Sequence, residues 1–184
     1  MKVRVKDIKT AIVGRRVSGS NSDIGYQIEK LIQSDGWQIQ PGAGPDILDF
    51  GIEIKGRHVD ATSNQTICKM SRADIIATPY HLSPVKNKIQ QQIRVYHNSN
   101  TILRATFYDF SDPYIQQLLG AAYEACRKKL QEGWCEKWVP GNYWGNFEKD
   151  LCNENFYAYR ITPNAYKKLE AMSKDTFFEL FDYN

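Results

Sequence analysis

The residues whose types and spacing could do chemistry are Asp46, Glu53 and Lys55. They lie in the string Pro45-Asp46, six intervening residues, then Glu53-Ile54-Lys55. In an extended strand successive side chains point to opposite faces, so Glu53 and Lys55 share one face and Ile54 turns to the other. Asp46 precedes them across a short turn and can fold back beside Glu53. Two carboxylates converging at a strand end make a hard, oxygen-rich cation site. Mg²⁺ takes such donors together with waters and substrate phosphate, and the carbonyl oxygen of Ile54 is a further candidate ligand. A bound metal can activate water and neutralise charge growing on phosphoryl oxygens, while Lys55 can orient that water and stabilise the anion. The chemistry such a trio supports is hydrolysis of phosphodiesters.

Those side chains need a strand, a turn before it and a sheet around it. Alternating Ile52 and Ile54 mark the strand. The turn grows out of a Gly- and Pro-rich stretch from Asp35 through Gln40-Pro41-Gly42-Ala43-Gly44-Pro45, which reads as a loop. Upstream, Ile24, Ile28, Leu31 and Ile32 give one apolar face to a helix over Ser22–Gln33, capped by Ser22 or Asn21. Further strands are expected near Gln65–Met70, Ile93–His97 and Ile102–Phe107, with a helix near Ser83–Gln92 opened by Pro84. A long helix is expected over Pro113–Leu130, capped by Asp112 or Ser111, with Ile115, Leu118, Leu119, Ala122 and Cys126 on one face. Two shorter helices follow, Pro163–Met172 and Asp175–Phe181. The aromatic segment Trp134–Phe147 reads as an irregular loop, packed on the core or contacting DNA or a partner. The pattern implies an α/β (α+β) fold, a central mixed sheet flanked by helices, and one domain over residues 1–184.

Composition narrows the setting. The chain has 184 residues with 42% apolar content, enough for a packed core. No apolar run approaches the roughly 20 residues of a membrane span. The opening residues lack the apolar stretch of a secretory signal, so the expected place is the cytoplasm. Cys68, Cys126, Cys135 and Cys152 form no C-x-x-C pair and read as reduced thiols. The net charge of +3 permits nucleic-acid binding without requiring it. Lys2, Arg4, Lys6, Lys9, Arg15 and Arg16 crowd the start, as a solvated tail or a phosphate-contacting arm.

The central string resembles the PD-(D/E)xK motif of restriction and repair nucleases. More narrowly the chain resembles the MutH family, which includes the mismatch-repair nicking enzyme and GATC-cutting type II restriction enzymes. Ile24-Gly25-Tyr26-Gln27-Ile28-Glu29 is similar to that family's I-G-x-x-x-E helix. Asp49-Phe50-Gly51-Ile52-Glu53-Ile54-Lys55 is similar to its catalytic strand, and Val85-Lys86-Asn87-Lys88-Ile89 to its V-R-x-K helix. Tyr157 to Pro163, with Ala165 and Leu169, resembles a late strand and helix.

The resemblance implies a restriction-endonuclease-like core, with Asp46 and Glu53 as metal ligands and Lys55 as the catalytic lysine. Glu29 becomes a helical acid facing the metal, and Lys88 a second lysine near the scissile phosphate. Asp49 is the alternative to Asp46, and Lys86 to Lys88. The implied cofactor is Mg²⁺, with Mn²⁺ substituting, and the implied partner is double-stranded DNA, bound by a homodimer. The mismatch-repair members continue beyond the last matched helix, whereas this chain stops at Asn184. The expectation is therefore a sequence-specific type II restriction endonuclease. The alternatives are a nicking endonuclease of phage origin or of mismatch repair, which alone would bring mismatch-repair partners, and a non-catalytic DNA-binding module. Arg57, Asn64, Gln65, Lys69, Arg72, Arg160 and the Trp134–Phe147 segment are candidate DNA contacts by location.

Overall fold

The computed structural model describes residues 2–4, 12–40, 45–47, 51–173 and 179–182, with side chains described between residues 12 and 173. In chain order the elements are β1 (Lys2–Arg4), α1 (Asn21–Ser34), β2 (Ile52–His58), β3 (Gln65–Ser71), α2 (Arg72–Ala77), α3 (Pro84–Lys88), β4 (Gln91–His97), β5 (Ile102–Asp109), α4 (Pro113–Gln131), β6 (Trp138–Asn142), β7 (Gly145–Lys149), β8 (Phe156–Ile161), α5 (Pro163–Met172) and β9 (Glu179–Asp182). The class is α/β, with a mixed sheet and helices, as the sequence implies. The chain divides into two compact units. One comprises Met1–Ala61, Gln91–Asp109 and Lys174–Asn184; the other comprises Thr62–Gln90 and Phe110–Ser173.

In the first unit, β2 and β4 run parallel and β5 pairs antiparallel with β4. One face of this sheet is apolar. Ile52 and Ile54 of β2, Ile93 and Val95 of β4, and Ala105 and Phe107 of β5 join Ile24, Ile28 and Ile32 of α1 in a single core. Burying each such isoleucine contributes roughly 1.5–3 kcal/mol. The helix comes close because glycine faces it: a methyl on Gly56 would lie 3.1 Å from Ile28 Cδ1 and 3.9 Å from Gly25 Cα. The α1 cap is Ser20, rather than Ser22 or Asn21. Ser20 and Asp23 satisfy each other's backbone N–H in a capping box, which a start at Asn21 or Ser22 would forgo.

In the second unit, β3, β8, β7 and β6 form an antiparallel sheet, in that order. Helix α4 begins at the expected Asp112 cap and buries Ile115, Leu119, Ala122, Tyr123 and Cys126. Tyr123, Phe147 and Tyr159 pack ring to ring within this unit, with centroids 5.0–6.2 Å apart.

Three expectations need correction. The helix near Ser83–Gln92 ends at Lys88, because Gln91 and Gln92 are taken into β4 by parallel pairing with Ile52 and Glu53. The segment Trp134–Phe147 is not irregular, since most of it forms the β6–β7 hairpin, with Trp138 opposite Glu148. The helix expected over Asp175–Phe181 is overturned at its end, where Glu179–Asp182 is a strand antiparallel to β1. Aromatic residues fit a pleated sheet, and pairing with a distant segment outweighs local helical spacing. Asp49, Lys6 and Lys9 lie outside the described residues. Among the described residues no helix is long and apolar enough to cross a membrane. The four cysteines are free thiols, with Cys126 buried and pushed up to about 12 by that burial.

Candidate functional site

The site is built on the margin of β2 that faces away from β4. There Ile47 and Ile52 form an antiparallel bridge and exchange both backbone hydrogen bonds, at 2.9 and 3.2 Å. Gly51, at φ 64°, closes the turn in the left-handed region that glycine enters without strain. In an antiparallel register one step outward from this bridge, Asp46 comes opposite Glu53. A further step would bring Ile54 opposite Pro45, and the ladder departs from regular pairing here. The Asp46 carboxylate takes over: its Oδ2 accepts a hydrogen bond from the Ile54 amide at 2.6 Å. That anchors the carboxylate beside the peptide bond joining Glu53 to Ile54. The foldback inferred from the sequence is thus present, and its cause is an edge-strand amide in need of an acceptor.

Glu53 and Lys55 share a face, as strand alternation requires. Lys55 Nζ is hydrogen-bonded and ion-paired to Glu53 Oε1. The Glu53 side chain is 1% exposed and that of Lys55 18%, so the carboxylate is held inside and the ammonium sits at its outer margin.

The polar face extends over all three strands. Strand register aligns Glu53, Gln92 and Tyr108 in one row, Lys55, Arg94 and Thr106 in the next, and Arg57, Tyr96 and Arg104 in the third. The guanidinium groups of Arg94 and Arg104 lie 5.3 and 4.1 Å from the Tyr96 ring centroid. The Tyr108 hydroxyl is held above its ordinary pKa first by burial, then by Tyr96, while Arg94 and a bond with Thr106 oppose the shift. Four cations, Lys55, Arg57, Arg94 and Arg104, therefore share this face with the acid Glu53. Sequence reading missed Gln92 and Arg94. A signal was present: Gln-x-Arg-x-Tyr alternates with Ile93 and Val95, which marks a strand with one apolar and one polar face.

Asp46, Glu53, Ile54 and Lys55 are thus brought together. Glu29 is half-buried on α1, one turn beyond Gly25, where the helix lies against β2. Lys88 is half-buried in the last turn of α3, in the second unit. Among the described residues no group of three His, Cys, Asp or Glu side chains gathers as a metal cage. The carboxylates of Asp46 and Glu53 nevertheless suit Mg²⁺, which completes its shell with waters and phosphate rather than with an all-protein cage.

Several candidate DNA contacts are engaged within the protein. Arg72 donates to the carbonyls of Trp134 and Leu130, at 2.7 and 3.0 Å. Lys69 pairs with Asp150 at 2.5 Å and Arg160 with Glu148 at 2.7 Å. Arg57 donates to the Ala61 carbonyl at 3.2 Å.

No protein-family model matches the chain, and no curated protein matches it. Among solved structures it is similar to the restriction endonuclease MvaI in complex with its cognate DNA substrate. The identity is 12% and the TM-score 0.48, over 92% of this chain and 95% of that one. A likeness this distant leaves the chemistry to be read from the residues themselves.

Proposed function

We propose that the protein is a Mg²⁺-dependent endonuclease that hydrolyses phosphodiester bonds in duplex DNA, working as a sequence-specific type II restriction enzyme. The observation that carries the reading is the joint placement of two carboxylates and a lysine at one strand margin. Asp46 is fixed on the Ile54 amide, and Glu53 is bonded to Lys55. The excess of cations on the same sheet face suits a polyanionic ligand. Mg²⁺, when bound, would lower the pKa of a coordinated water and offset charge on the phosphoryl oxygens. Asp46 and Glu53 would hold it, with the Ile54 carbonyl as a further donor. Lys55 would orient the attacking water and stabilise the anionic transition state. The net reaction exchanges one P–O ester bond for the water's oxygen, leaving a phosphomonoester and a free hydroxyl. The resemblance to the nuclease motif adds Glu29 as a further acid of the same unit.

The test is cleavage of supercoiled plasmid and genomic DNA. Activity is expected with Mg²⁺ or Mn²⁺ and none with EDTA. Ca²⁺ is expected to support binding without cutting, since it holds oxygen ligands in looser geometry. Lys55→Ala should abolish cleavage and preserve Ca²⁺-supported binding. Linear product supports double-strand cutting, whereas nicked circles alone would replace the restriction reading with a nicking enzyme. Cleavage that survives EDTA, or DNA binding with no cleavage under any metal, would overturn the catalytic assignment.

A further inference from the structure

The third row of the polar face holds a cation that the cleavage chemistry does not use. Arg57 of β2, Tyr96 of β4 and Arg104 of β5 stand in register there, two residues beyond the row of Lys55 and Arg94. Of the arginines on this face, Arg57 donates to the Ala61 carbonyl and Arg94 is 5% exposed. Arg104 is exposed. Its guanidinium lies 4.1 Å from the centroid of the buried Tyr96 ring. Among the described residues no acid pairs with Arg104. A cation over an aromatic face is attracted by the ring's quadrupole, so the guanidinium's fork of N–H donors stays available to another ligand. The ring also restricts a long side chain that would otherwise lose its rotamer freedom on gripping that ligand. Arg94 stands 5.3 Å from the same centroid. Two guanidiniums gathered on one ring make a local excess of positive charge, which repels itself and attracts an anion.

We propose that Arg104, held on the Tyr96 ring, binds a backbone phosphate of duplex DNA a few nucleotides from the one that is cut, and so fixes how the duplex lies on the sheet. The proposal rests on the duplex-DNA reading above and requires neither the metal nor the cleavage step. Two residues along a strand and two strands across place the Arg104 backbone about 12 Å from that of Lys55. Each strand of a duplex carries one phosphate per roughly 3.4 Å of axis, so about three phosphates span that distance. Such a contact positions the duplex and carries no base information.

The experiment is fluorescence anisotropy of a labelled duplex titrated with the whole chain in Ca²⁺, repeated from about 50 to about 200 mM KCl. Arg104→Gln and Arg104→Met both keep a stem over the ring and remove the charge. Each is expected to flatten the slope of log affinity against log salt by about 0.9, the counterion share of one phosphate. The wild-type advantage in affinity should therefore shrink about 3.5-fold across that range. The loss should be alike on duplexes of unrelated sequence, and Arg104→Lys, which keeps the charge, should keep the slope. Lys30→Gln removes a cation 5.3 Å from the Tyr26 ring on α1, the helix packed on the opposite face of the sheet, and should leave the slope unchanged. An arginine that only covers Tyr96 would, on substitution, lower the melting midpoint and leave the slope alone. A wild-type slope in a folded Arg104→Gln or Arg104→Met, or an equal flattening in Lys30→Gln, overturns the proposal. A flattened slope in a protein that binds without cleaving in Mg²⁺ supports the contact and overturns only the catalytic reading. Absence of DNA binding by the wild-type protein overturns the duplex-DNA reading, and the role of Arg104 with it.

Discussion

Replacing Asp46 separates its two tasks. Its Oδ2 accepts the Ile54 amide at 2.6 Å, and Ile54 is 6% exposed. Asp46→Ala removes that acceptor and leaves a nearly buried N–H without its partner, a loss of about 1–3 kcal/mol. Asp46→Asn can keep the bond through its amide oxygen and loses only the charge assistance, under about 1 kcal/mol. At roughly 2–4 °C per kcal/mol for a chain of this size, Asp46→Ala should lower the melting midpoint by about 2–12 °C and Asp46→Asn by only a few degrees. Cleavage should divide differently. Both variants lose a negative ligand from the cation site. A loss of about 3 kcal/mol in transition-state stabilisation would slow cleavage on the order of a hundredfold in each. Amide hydrogen exchange at Ile54 adds a local reading: protection should fall in Asp46→Ala and persist in Asp46→Asn. Wild-type cleavage by Asp46→Asn would refute the ligand role. An Ile54 amide as slow to exchange in Asp46→Ala as in the wild type would refute the anchoring argument.

Two further outcomes follow from the same structure. His97 is 2% exposed, packs edge-on against His58 with centroids 5.6 Å apart, and accepts the Ser99 amide at Nδ1. Burial first, then the nearby His58, holds its pKa below the ordinary 6.5. The folded state therefore binds this proton less readily than the unfolded chain. The resulting stability is present above pH 6.5 and is lost as pH falls through 6.5 toward the native value. The melting midpoint should thus drop between pH 7.5 and 5.5, and His97→Gln should shrink that drop; an equal drop in both proteins would count against this account. Gly141 carries no side chain because a methyl there would lie 2.6 Å from the Ala122 carbonyl oxygen and 2.9 Å from Cys126 Sγ. Gly141→Ala should therefore destabilise the β6–β7 hairpin against α4 by about 2 kcal/mol or more, read by denaturant unfolding, and an unchanged midpoint would show that the contact yields freely.

Much of the local structure was legible. The isoleucine spacing in α1 and the alternation in β2 are direct consequences of helix and strand periodicity. So is the shared face of Glu53 and Lys55. Pro163 announces α5, and Asp112 announces α4, because the first turn's own orphan amides favour such residues there. The failures at β4 and β9 have one origin. Gln91 and Gln92 carry no strong strand preference, yet lie in β4 because β2 and β5 offer them partners. Glu179–Asp182 is a strand because β1 waits at the other end of the chain. Gln92 and Arg94 escaped notice as site residues for the same reason. Nothing near them in sequence says that Glu53 and Lys55 will be their register partners.

The sequence by itself determined which groups were available and how close neighbours in the chain would point: an acid, a second acid, a lysine two residues on, and the isoleucines between them. Tertiary structure alone decided that Asp46 would cap an edge amide of β2, and that a glutamine and an arginine some forty residues later would stand beside the acid and the lysine. Side-chain direction is a local property of φ and ψ. Strand partnership depends on which segments, remote along the chain, together bury the most apolar surface while leaving each backbone amide an acceptor.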